Sequence, residues 1–327
     1  MKCDVSIIIP NFNGEKYIGN CLDSLMEQTF DHLGKSEIIV VDDCSKDNSV
    51  NIIKNFQDVR LIENSENSGF ARSVNQGIRA SSGDYCLLLN NDVVVDGDFV
   101  KNLYEHIAGN PRVFSVSSKM IRYYERDKLD DAGDFYNILG WAFKRGDGAK
   151  LNRYDKPTAI FSTCAGAGIY RRSILDEIGL FDEAFFAYME DVDLSYRGLI
   201  FGYENHYEPK AFCYHIGSAT TADGEKYSPF KVNISARNNV YVAYKNMPLV
   251  QLILNSPFLV LGFLVKYLLF IKRGYGNDYK EGIQEGLKTL GKIQKVPVQS
   301  KNMGHYFWIQ VQLVLNVFGF IDNKFRR

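Results

Sequence analysis

Apolar, strand-like runs alternate with amphipathic stretches over the first 90 residues of the chain. The runs occupy residues 5–10, 37–41, 59–63 and 85–89. Residues 17–25 place apolar side chains every three or four positions, as an amphipathic helix does, and residues 50–56 and 70–80 are further predicted helices. Strands and helices in this alternation predict an α/β fold with a doubly wound, mainly parallel sheet flanked by helices.

The middle of the chain has a less regular pattern. We predict strands at residues 113–121 and 164–170, a short helix at 172–179, and a helix that begins within 188–194. Residues 122–155 are polar and punctuated by glycine, which predicts a region rich in loops.

Two largely aliphatic runs, residues 249–271 and 306–321, distinguish the end of the chain. Pro257 and several polar residues interrupt the first run, and Lys272 and Arg273 follow it directly. Apolar helices beside basic clusters are typical of a surface that lies on anionic lipid, which predicts peripheral contact with a membrane. A buried helix pair or a homo-oligomer interface is the alternative interpretation.

The distribution of charge divides the chain into two parts, although the overall composition does not show this. The 327 residues include 38 Lys and Arg against 39 Asp and Glu, and the resulting net charge of −1 argues against a nucleic-acid binder. Residues 245–327 nevertheless carry +8, and the residues before them carry −9. We therefore predict a catalytic domain over residues 1–244 and a basic, apolar, helical extension over 245–327 that associates with a membrane or mediates oligomerisation.

The cysteines and the first residues indicate the compartment. None of the six cysteines belongs to a CxxC pair, a usage that favours a reducing environment. Residues 1–4 lead directly into a strand-like run with no signal-peptide pattern. Both features predict a cytoplasmic protein, which we place at the inner face of the cell membrane.

Polar clusters directly follow three of the predicted strands, at residues 11–14, 42–43 and 90–92. In doubly wound sheets, ligands bind beyond the carboxyl ends of the strands, where these clusters would meet. A further group of acids lies at the start of the later helix and consists of Glu190, Asp191 and Asp193. Clustered carboxylates need a balancing cation, and their hard oxygens suit Mg²⁺ or Mn²⁺ with phosphate. The pattern predicts a metal–nucleotide site.

Five motifs in the same order resemble those of family 2 glycosyltransferases of the GT-A fold. They are residues 5–14 (VSIIIPNFNG), 40–49 (VVDDCSKDNS), 67–77 (NSGFARSVNQG), 88–92 (LLNND) and 179–194, which ends in EDVDL. The resemblance covers residues 5–248 and is strongest to the bacterial rhamnosyltransferase-like branch, which also includes galactofuranosyltransferases.

The resemblance implies roles for individual residues of the donor site. The residues implied for the nucleotide-sugar are Pro10, Asn11, Asn13, Asp42, Gly69, Arg72, Asn75, Asn90 and Asn91. Asp42 would accept hydrogen bonds from the pyrimidine edge. Residues 90–92 occupy the position of the family's DxD motif with Asn in place of its first acid, so Asp92 is the expected carboxylate ligand of Mg²⁺ or Mn²⁺. His215 matches the histidine that completes the metal site.

The same resemblance makes Asp191 the expected catalytic base, since inverting transfer needs one carboxylate to deprotonate the acceptor. Glu190 and Asp193 would raise its pKa by like charge. The alternative is that these acids only stabilise a helix N-terminus. For the acceptor we expect Gly166, Ala167 and Glu190, although small residues at 164–168 equally suit close packing.

Two further expectations concern the rim of the site. Aromatic side chains that would stack on sugar faces are Tyr123, Tyr124, Tyr136 and Trp141, with ordinary packing as the alternative. Residues 219–231 predict a mobile lid over the donor, or else an inert surface loop.

These features together predict an inverting glycosyltransferase of bacterial surface-glycan synthesis (O-antigen, capsule or cell wall). The donor would be a dTDP- or UDP-sugar, such as L-rhamnose, galactofuranose or another hexose, and the acceptor a glycan or a polyprenyl-diphosphate-linked sugar. A nucleotidyltransferase and a non-catalytic nucleotide-sugar-binding module are the rivals from other classes. Neither GxGxxG after the first strand nor GxxxxGK[ST] occurs, which argues against dehydrogenases and P-loop NTPases.

Overall fold

A computed structural model describes residues 4–28, 36–217 and 227–325 of the chain. The strands in these ranges are β1 (Val5–Asn11), β2 (Ser36–Asp42), β3 (Val59–Glu63), β4 (Tyr85–Leu89), β5 (Val93–Val95), β6 (Val113–Arg122), β7 (Leu129–Asp131), β8 (Asp134–Tyr136), β9 (Ala142–Lys144), β10 (Thr158–Ile160), β11 (Ala167–Arg171) and β12 (Glu204–His215). The helices are α1 (Ile18–Met26), α2 (Ser49–Ile53), α3 (Phe70–Ala80), α4 (Phe99–Ala108), α5 (Arg172–Ile178), α6 (Glu190–Ile200), α7 (Pro229–Asn246), α8 (Leu249–Lys272), α9 (Gly276–Lys288) and α10 (Met303–Phe325).

The main sheet has the strand order β10-β12-β6-β11-β4-β1-β2-β3. Its β4-β1-β2-β3 half is parallel, whereas β11 runs antiparallel to both β4 and β6. Strand β1 is almost wholly apolar because helices cover both of its faces. Its Ile7 and Ile9 pack in the core that α1 and α4 cover, and Ile8 packs in the core that α3, α5 and α6 cover.

The predicted α/β class with flanking helices is confirmed, and the sheet is mixed rather than parallel throughout. The bounds predicted for β3, α3 and β4 match those in the structure. The strand predicted at 164–170 begins only at Ala167. Sequence reasoning did not identify β12, which pairs with three other strands and ends at His215.

The two aliphatic runs near the end of the chain form α8 and α10. By length and composition α8 alone, among the described residues, is apolar enough to cross a membrane, with a mean hydropathy of 1.9. The predicted domain boundary at Lys245 falls in the last turn of α7. The division into domains stays a prediction.

Candidate active site

A cleft of about 1340 Å³ opens at the carboxyl ends of β1 and β4, between the start of α6, the end of β12 and the start of α7. It is where ligands bind in open α/β sheets. The predicted site residues that line it are Pro10, Asn11, Gly69, Asn90, Asn91, Asp92, Gly166, Glu190, Asp191 and His215. The structure thus brings the expected base, the expected metal ligands and most expected donor residues to one cleft.

Asp42, expected to contact the base of the nucleotide, lies beneath the cleft rather than in its lining. Its carboxylate accepts hydrogen bonds from Asn11 Nδ2 (2.7 Å), and from the backbone and the hydroxyl of Ser45. Asn11 in turn accepts a bond from Asn91 Nδ2 at 2.7 Å, so Asp42 braces two residues of the cleft wall. The neighbouring Asp43 lines the cleft instead.

Four other predicted residues also lie outside the lining. Asn75 is buried and bridges α3 to the backbone of Phe181, with its amide at 2.8 Å from that carbonyl. Asn13 adopts a φ of +50° and its side chain caps the Lys46 N–H. Arg72 is exposed beside Glu66, and Ala167 is buried in β11; the contacts predicted for these four residues stay predictions.

Asp92 and His215 lie next to each other in the cleft. The Nε2 of His215 lies 3.5 Å from Oδ1 of Asp92, and its Nδ1 lies 2.8 Å from Oδ2 of Asp130. Burial opposes a charge on the imidazole, but the two carboxylates outweigh it and raise the pKa of His215 to about 9. Burial likewise opposes the charge of Asp92, and His215 overcomes it and lowers that pKa. A nitrogen and a carboxylate that face each other in this way suit a divalent cation.

A second group of potential ligands lies deeper in the cleft and was missed from the sequence. One atom each of Asp131, Asp134 and Cys164 lies within 4.8 Å of the others. Burial raises the pKa of Asp131 to about 7, with Lys144 acting in the opposite direction. The positive charge of Lys144 beside these residues makes the group less suited to a cation than Asp92 and His215.

Asp191 lies at the start of α6, and backbone N–H groups donate to both oxygens of its carboxylate. Its Oδ2 accepts from the Ala165 N–H at 3.3 Å and its Oδ1 from the Val192 N–H at 2.8 Å. Burial raises its pKa, although these bonds act against the shift. Burial and the neighbouring Asp191 also raise the pKa of Glu190. A carboxylate with a raised pKa in a cleft is suited to proton transfer.

Asp193, expected to add to this charge, points into the protein. Its carboxylate bonds Lys245 Nζ at 3.0 Å, Arg197 Nε at 3.1 Å and Asn246 Nδ2 at 2.8 Å. These cations overcome the effect of burial and lower its pKa. The charge of Asp193 is therefore balanced within the protein, and this acid joins α6 to α7.

A strained turn presents the α6 acids to the cleft. Phe186, Tyr188 and Met189 all adopt positive φ, at +63°, +67° and +71°. Such conformations are costly for residues other than glycine and persist where surrounding contacts impose them. The contacts come from α7, where Asn238 Nδ2 donates to the carbonyls of Phe185, Ala187 and Tyr188 at 2.9, 2.9 and 2.7 Å. Asn238 was also missed because no local sequence signal marks it.

Gly69 meets the same turn at close range. Its φ is +88°, and a Cβ at this position would lie 2.5 Å from the Phe186 ring. The Gly69 N–H donates to Asp43 Oδ2 at 2.8 Å. Glycine is required here because only a residue without a side chain tolerates both the backbone conformation and the neighbouring ring.

Of the four aromatic residues expected to contact sugars, Tyr123 and Tyr124 line the cleft. Tyr136 is fully buried, and Trp141 instead donates from Nε1 to the Gly262 carbonyl of α8. Most of the expected lid, residues 219–226, lies outside the described residues. Its last part, residues 228–231, lines the cleft.

Comparison with known proteins identifies relatives of the first half of the chain. A family model described as "Glycosyl transferase family 2" matches residues 6–179, just over half of the chain. A poly-beta-1,6-N-acetyl-D-glucosamine synthase of Staphylococcus epidermidis is 25% identical over 221 residues, which cover 65% of this chain and 50% of that protein. Glycosyltransferase GlyG of Streptococcus pneumoniae is 31% identical over 136 residues, which cover 40% of this chain and 42% of that protein. The chain spans about half the length of these curated relatives or less.

Solved structures share the fold. A structure of GalNAc-T7 with UDP, GalNAc and Mn²⁺ matches 74% of this chain and 48% of its own, with a TM-score of 0.60 and 17% identity. The mannosyltransferase PcManGT of Pyrobaculum calidifontis, in complex with GDP-Man and Mn²⁺, matches 89% of this chain and 87% of its own, with a TM-score of 0.54 and 15% identity. At these identities the similarity establishes the architecture alone.

Proposed function

The chain belongs to glycosyl transferase family 2, and from this premise we propose that it is an inverting glycosyltransferase. It moves a sugar from a nucleoside-diphosphate sugar to a hydroxyl group of a glycan or lipid-linked acceptor. The observation that carries the proposal is the cleft itself, which contains a half-buried carboxylate at Asp191 and the neighbouring pair Asp92 and His215. An inverting transfer needs one base and a site for the leaving diphosphate, and no nucleophile from the protein.

The chain's own residues supply the proton transfer. Asp191 accepts the proton of the acceptor hydroxyl as the acceptor oxygen forms a bond to the anomeric carbon of the donor. On the opposite face of that carbon, the bond to the diphosphate oxygen breaks, and the electron pair leaves with the nucleoside diphosphate. The Ala165 and Val192 N–H groups orient the Asp191 carboxylate for this step.

Asp92 and His215 are the residues that we propose hold Mg²⁺ or Mn²⁺. Their donor atoms suit such a cation, and the related structures named above contain Mn²⁺ with a nucleotide or nucleotide sugar. When bound, the cation neutralises charge on the leaving diphosphate. Asn90 and Asn91 line the cleft beside Asp92 and complete the wall of the donor site.

The sugar and the pathway are finer proposals. From the resemblance of the sequence motifs we propose L-rhamnose from a dTDP-sugar as the donor, with galactofuranose or another hexose from a UDP-sugar as the alternative. The synthase of Staphylococcus epidermidis is named for a polysaccharide product. By analogy with that relative, we propose that this chain acts in bacterial surface-glycan synthesis.

The test of this function is a donor screen with Mn²⁺, monitored by the nucleotide product. We expect release of nucleoside diphosphate from one donor sugar in the presence of an acceptor. The Asp191→Asn variant should bind donor as tightly as the wild type and lose transfer, whereas Asp155→Asn, a change away from the cleft, should have no effect. Pyrophosphate release would indicate a nucleotidyltransferase, and binding without turnover for any donor would indicate a binding module.

For location we propose peripheral attachment to an anionic membrane surface through α8 and α10. The two helices differ from helices on a soluble protein in the face that they expose to solvent. Between them, polar residues accompany apolar ones such as Leu259 and Leu313, and Gln310 bonds both Gln251 and Asn255. Their solvent-facing residues are instead large and apolar, among them Leu249, Val250, Ile253, Leu254, Val260, Leu261, Leu264, Leu268, Phe307, Trp308, Leu315 and Phe318.

Charge favours a lipid partner over a second copy of the chain. Lys272 and Arg273 are exposed at the end of α8, and Lys301 and Lys324 are exposed near the ends of α10. Each basic residue near an anionic surface contributes about 1 kcal/mol of attraction. In a homo-oligomer built on these helices, the like charges of the +8 extension would instead repel each other.

Vesicle flotation tests the attachment. We expect the full chain to float with vesicles of phosphatidylcholine and phosphatidylglycerol and to float less with phosphatidylcholine alone. The triple change Leu254→Glu, Leu261→Glu and Leu268→Glu on α8 should abolish flotation, whereas Leu287→Glu, an equally exposed leucine on α9, should not. Unchanged flotation of the triple variant, or its conversion from a dimer to a monomer in light scattering, would contradict the proposal.

A further inference from the structure

We infer that Asp130, backed by Lys144, is a positioning residue that orients His215 as a metal ligand. The inference rests on the proposed metal site at Asp92 and His215. Nothing in the sequence motifs pointed to Asp130, which lies on the short strand β7 in the region predicted to be loops.

The backbone around both proposed ligands is already fixed. His215 pairs with Val93 in the β12–β5 ladder, and the His215 carbonyl accepts from the Tyr123 N–H at 2.9 Å. The N–H of Ile216 donates to the Asp92 carbonyl at 3.1 Å. The Cα positions of Asp92 and His215 are therefore set by the sheet, and the remaining freedom is rotation of the imidazole ring.

Asp130 removes that freedom. Its Oδ2 lies 2.8 Å from the Nδ1 of His215 in a largely buried position. This bond turns the other ring nitrogen, Nε2, toward Asp92 and the cleft. A carboxylate that accepts the Nδ1 proton also fixes the tautomer, because the lone pair for a cation must then be on Nε2.

Lys144 holds Asp130 in place. Its Nζ lies 2.7 Å from the same Oδ2 that faces His215. Lys144 comes from β9, which pairs with β8 so that Asp134 lies opposite Lys144. A Lys144–Asp130 pair that only linked two strands could use either carboxylate oxygen of Asp130. Lys144 instead contacts the same oxygen that contacts the His215 ring. The convergence of both groups on one oxygen is the observation that indicates positioning.

The affinity of the full-length protein for Mn²⁺ alone, titrated by the EPR signal of the free ion, tests the inference. Removing a residue that orients a metal ligand typically weakens metal binding about 10–100-fold. We expect Asp130→Asn to raise the Kd for Mn²⁺ about tenfold or more. The matched control is Asp155→Asn, which breaks the Asp155–Lys119 pair of 2.6 Å at a more exposed position and should leave the Kd unchanged.

Two further variants separate this inference from the function on which it rests. His215→Ala and Asp92→Asn should each weaken Mn²⁺ binding, and if neither does, the proposed metal site itself is wrong. If both do and Asp130→Asn does not, only the positioning role is overturned.

The ¹⁵N shifts of the His215 ring, measured in the wild-type protein with Mg²⁺, provide a readout that needs no substitution. We expect a proton on Nδ1 and none on Nε2. The opposite tautomer, with a proton on Nε2 and none on Nδ1, would overturn the inference even if the Asp130→Asn variant failed to fold.

Discussion

Replacing Asn238 with alanine should release the turn that presents the acidic residues of α6 to the cleft. The side chain of Asn238 is fully buried in α7 and its Nδ2 donates to three carbonyl groups of residues 185–188. The Phe185 carbonyl would retain a second donor, Arg237 Nη2 at 3.0 Å. The carbonyls of Ala187 and Tyr188 would lose the donor that α7 supplies.

The size of the effect follows from these bonds. A carbonyl left without its partner costs about 1–2 kcal/mol where it is half-buried, so two of them cost about 2–4 kcal/mol of unfolding free energy. Each residue held at positive φ stores about 1–3 kcal/mol of strain. The free energy of the lost hydrogen bonds is therefore comparable with the strain energy of the positive-φ residues. We expect the turn to relax once those bonds are gone. Since a 1 Å displacement of a catalytic group costs roughly 100-fold in rate, kcat should fall by about that factor.

Urea unfolding measures the loss of unfolding free energy, and steady-state kinetics measure the loss of kcat. The matched control is Asn239→Ala, the adjacent buried asparagine, whose Nδ2 bonds only the Ser235 carbonyl of its own helix. Asn239→Ala should lower the unfolding free energy by about 1 kcal/mol and leave kcat nearly unchanged. An Asn238→Ala variant with wild-type kcat would refute the idea that this residue sets the position of Asp191.

Three further predictions concern single residues. Asp193→Asn should lower the unfolding free energy by about 1–3 kcal/mol in urea unfolding, since Lys245 and Arg197 lose the buried charge that they share while Lys245 keeps Asp182 at 2.6 Å. Because the pKa of Asp193 is depressed in the folded protein, its contribution is complete above the unfolded pKa of about 3.9 and is lost as the pH falls below that value, which acid titration of the fold measures. Burial raises the pKa of Asp191, so kcat should decline with falling pH at a value above the ordinary carboxyl range, and a profile that stays flat to about pH 4 would contradict its role as base. Gly69→Ala should lower the unfolding free energy by about 1–3 kcal/mol and weaken nucleoside-diphosphate binding in calorimetry, because the new Cβ meets Phe186 at a φ of +88°.

Local signals in the sequence account for the half of the sheet that was predicted well. Strands β1, β2 and β4 are largely buried, β3 is a partly exposed edge strand, and all four are short and separated by amphipathic helices, so their periodicity identifies them without knowledge of their partners. Strand β12 mixes charged and aromatic residues because it pairs with β6, β10 and β5 along different parts of its length. Its pattern depends on those partners, and a local reading of the chain cannot recover it.

The same distinction between local signals and long-range contacts applies to the residues of the site. Asp92, Asp191 and His215 follow or begin regular elements in recognisable motifs, and all three reach the cleft. Successive residues at a strand end point in opposite directions, and of Asp42 and Asp43 only Asp43 lines the cleft, so the contact of Asp42 with the nucleotide stays a prediction. Asp130 was beyond prediction because its contact with His215 joins residues 85 positions apart.

Helix α7 links the acidic residues of α6 to helices α8 and α10, and this link decides how membrane attachment has to be tested. Lys245 and Asn246, in its last turn, both bond Asp193, so a chain that ends at residue 244 loses two partners of a buried carboxylate. Ending the chain after Met247 does not solve the problem, because fully buried Met247 belongs to the same apolar cluster as Ile309 and Leu313 of α10. Either truncation would disturb α6 and expose new apolar surface, and the truncated protein would change its solubility whether or not α8 and α10 contact lipid. Substitutions confined to exposed residues of α8 avoid both effects, so they can separate loss of membrane binding from loss of the fold.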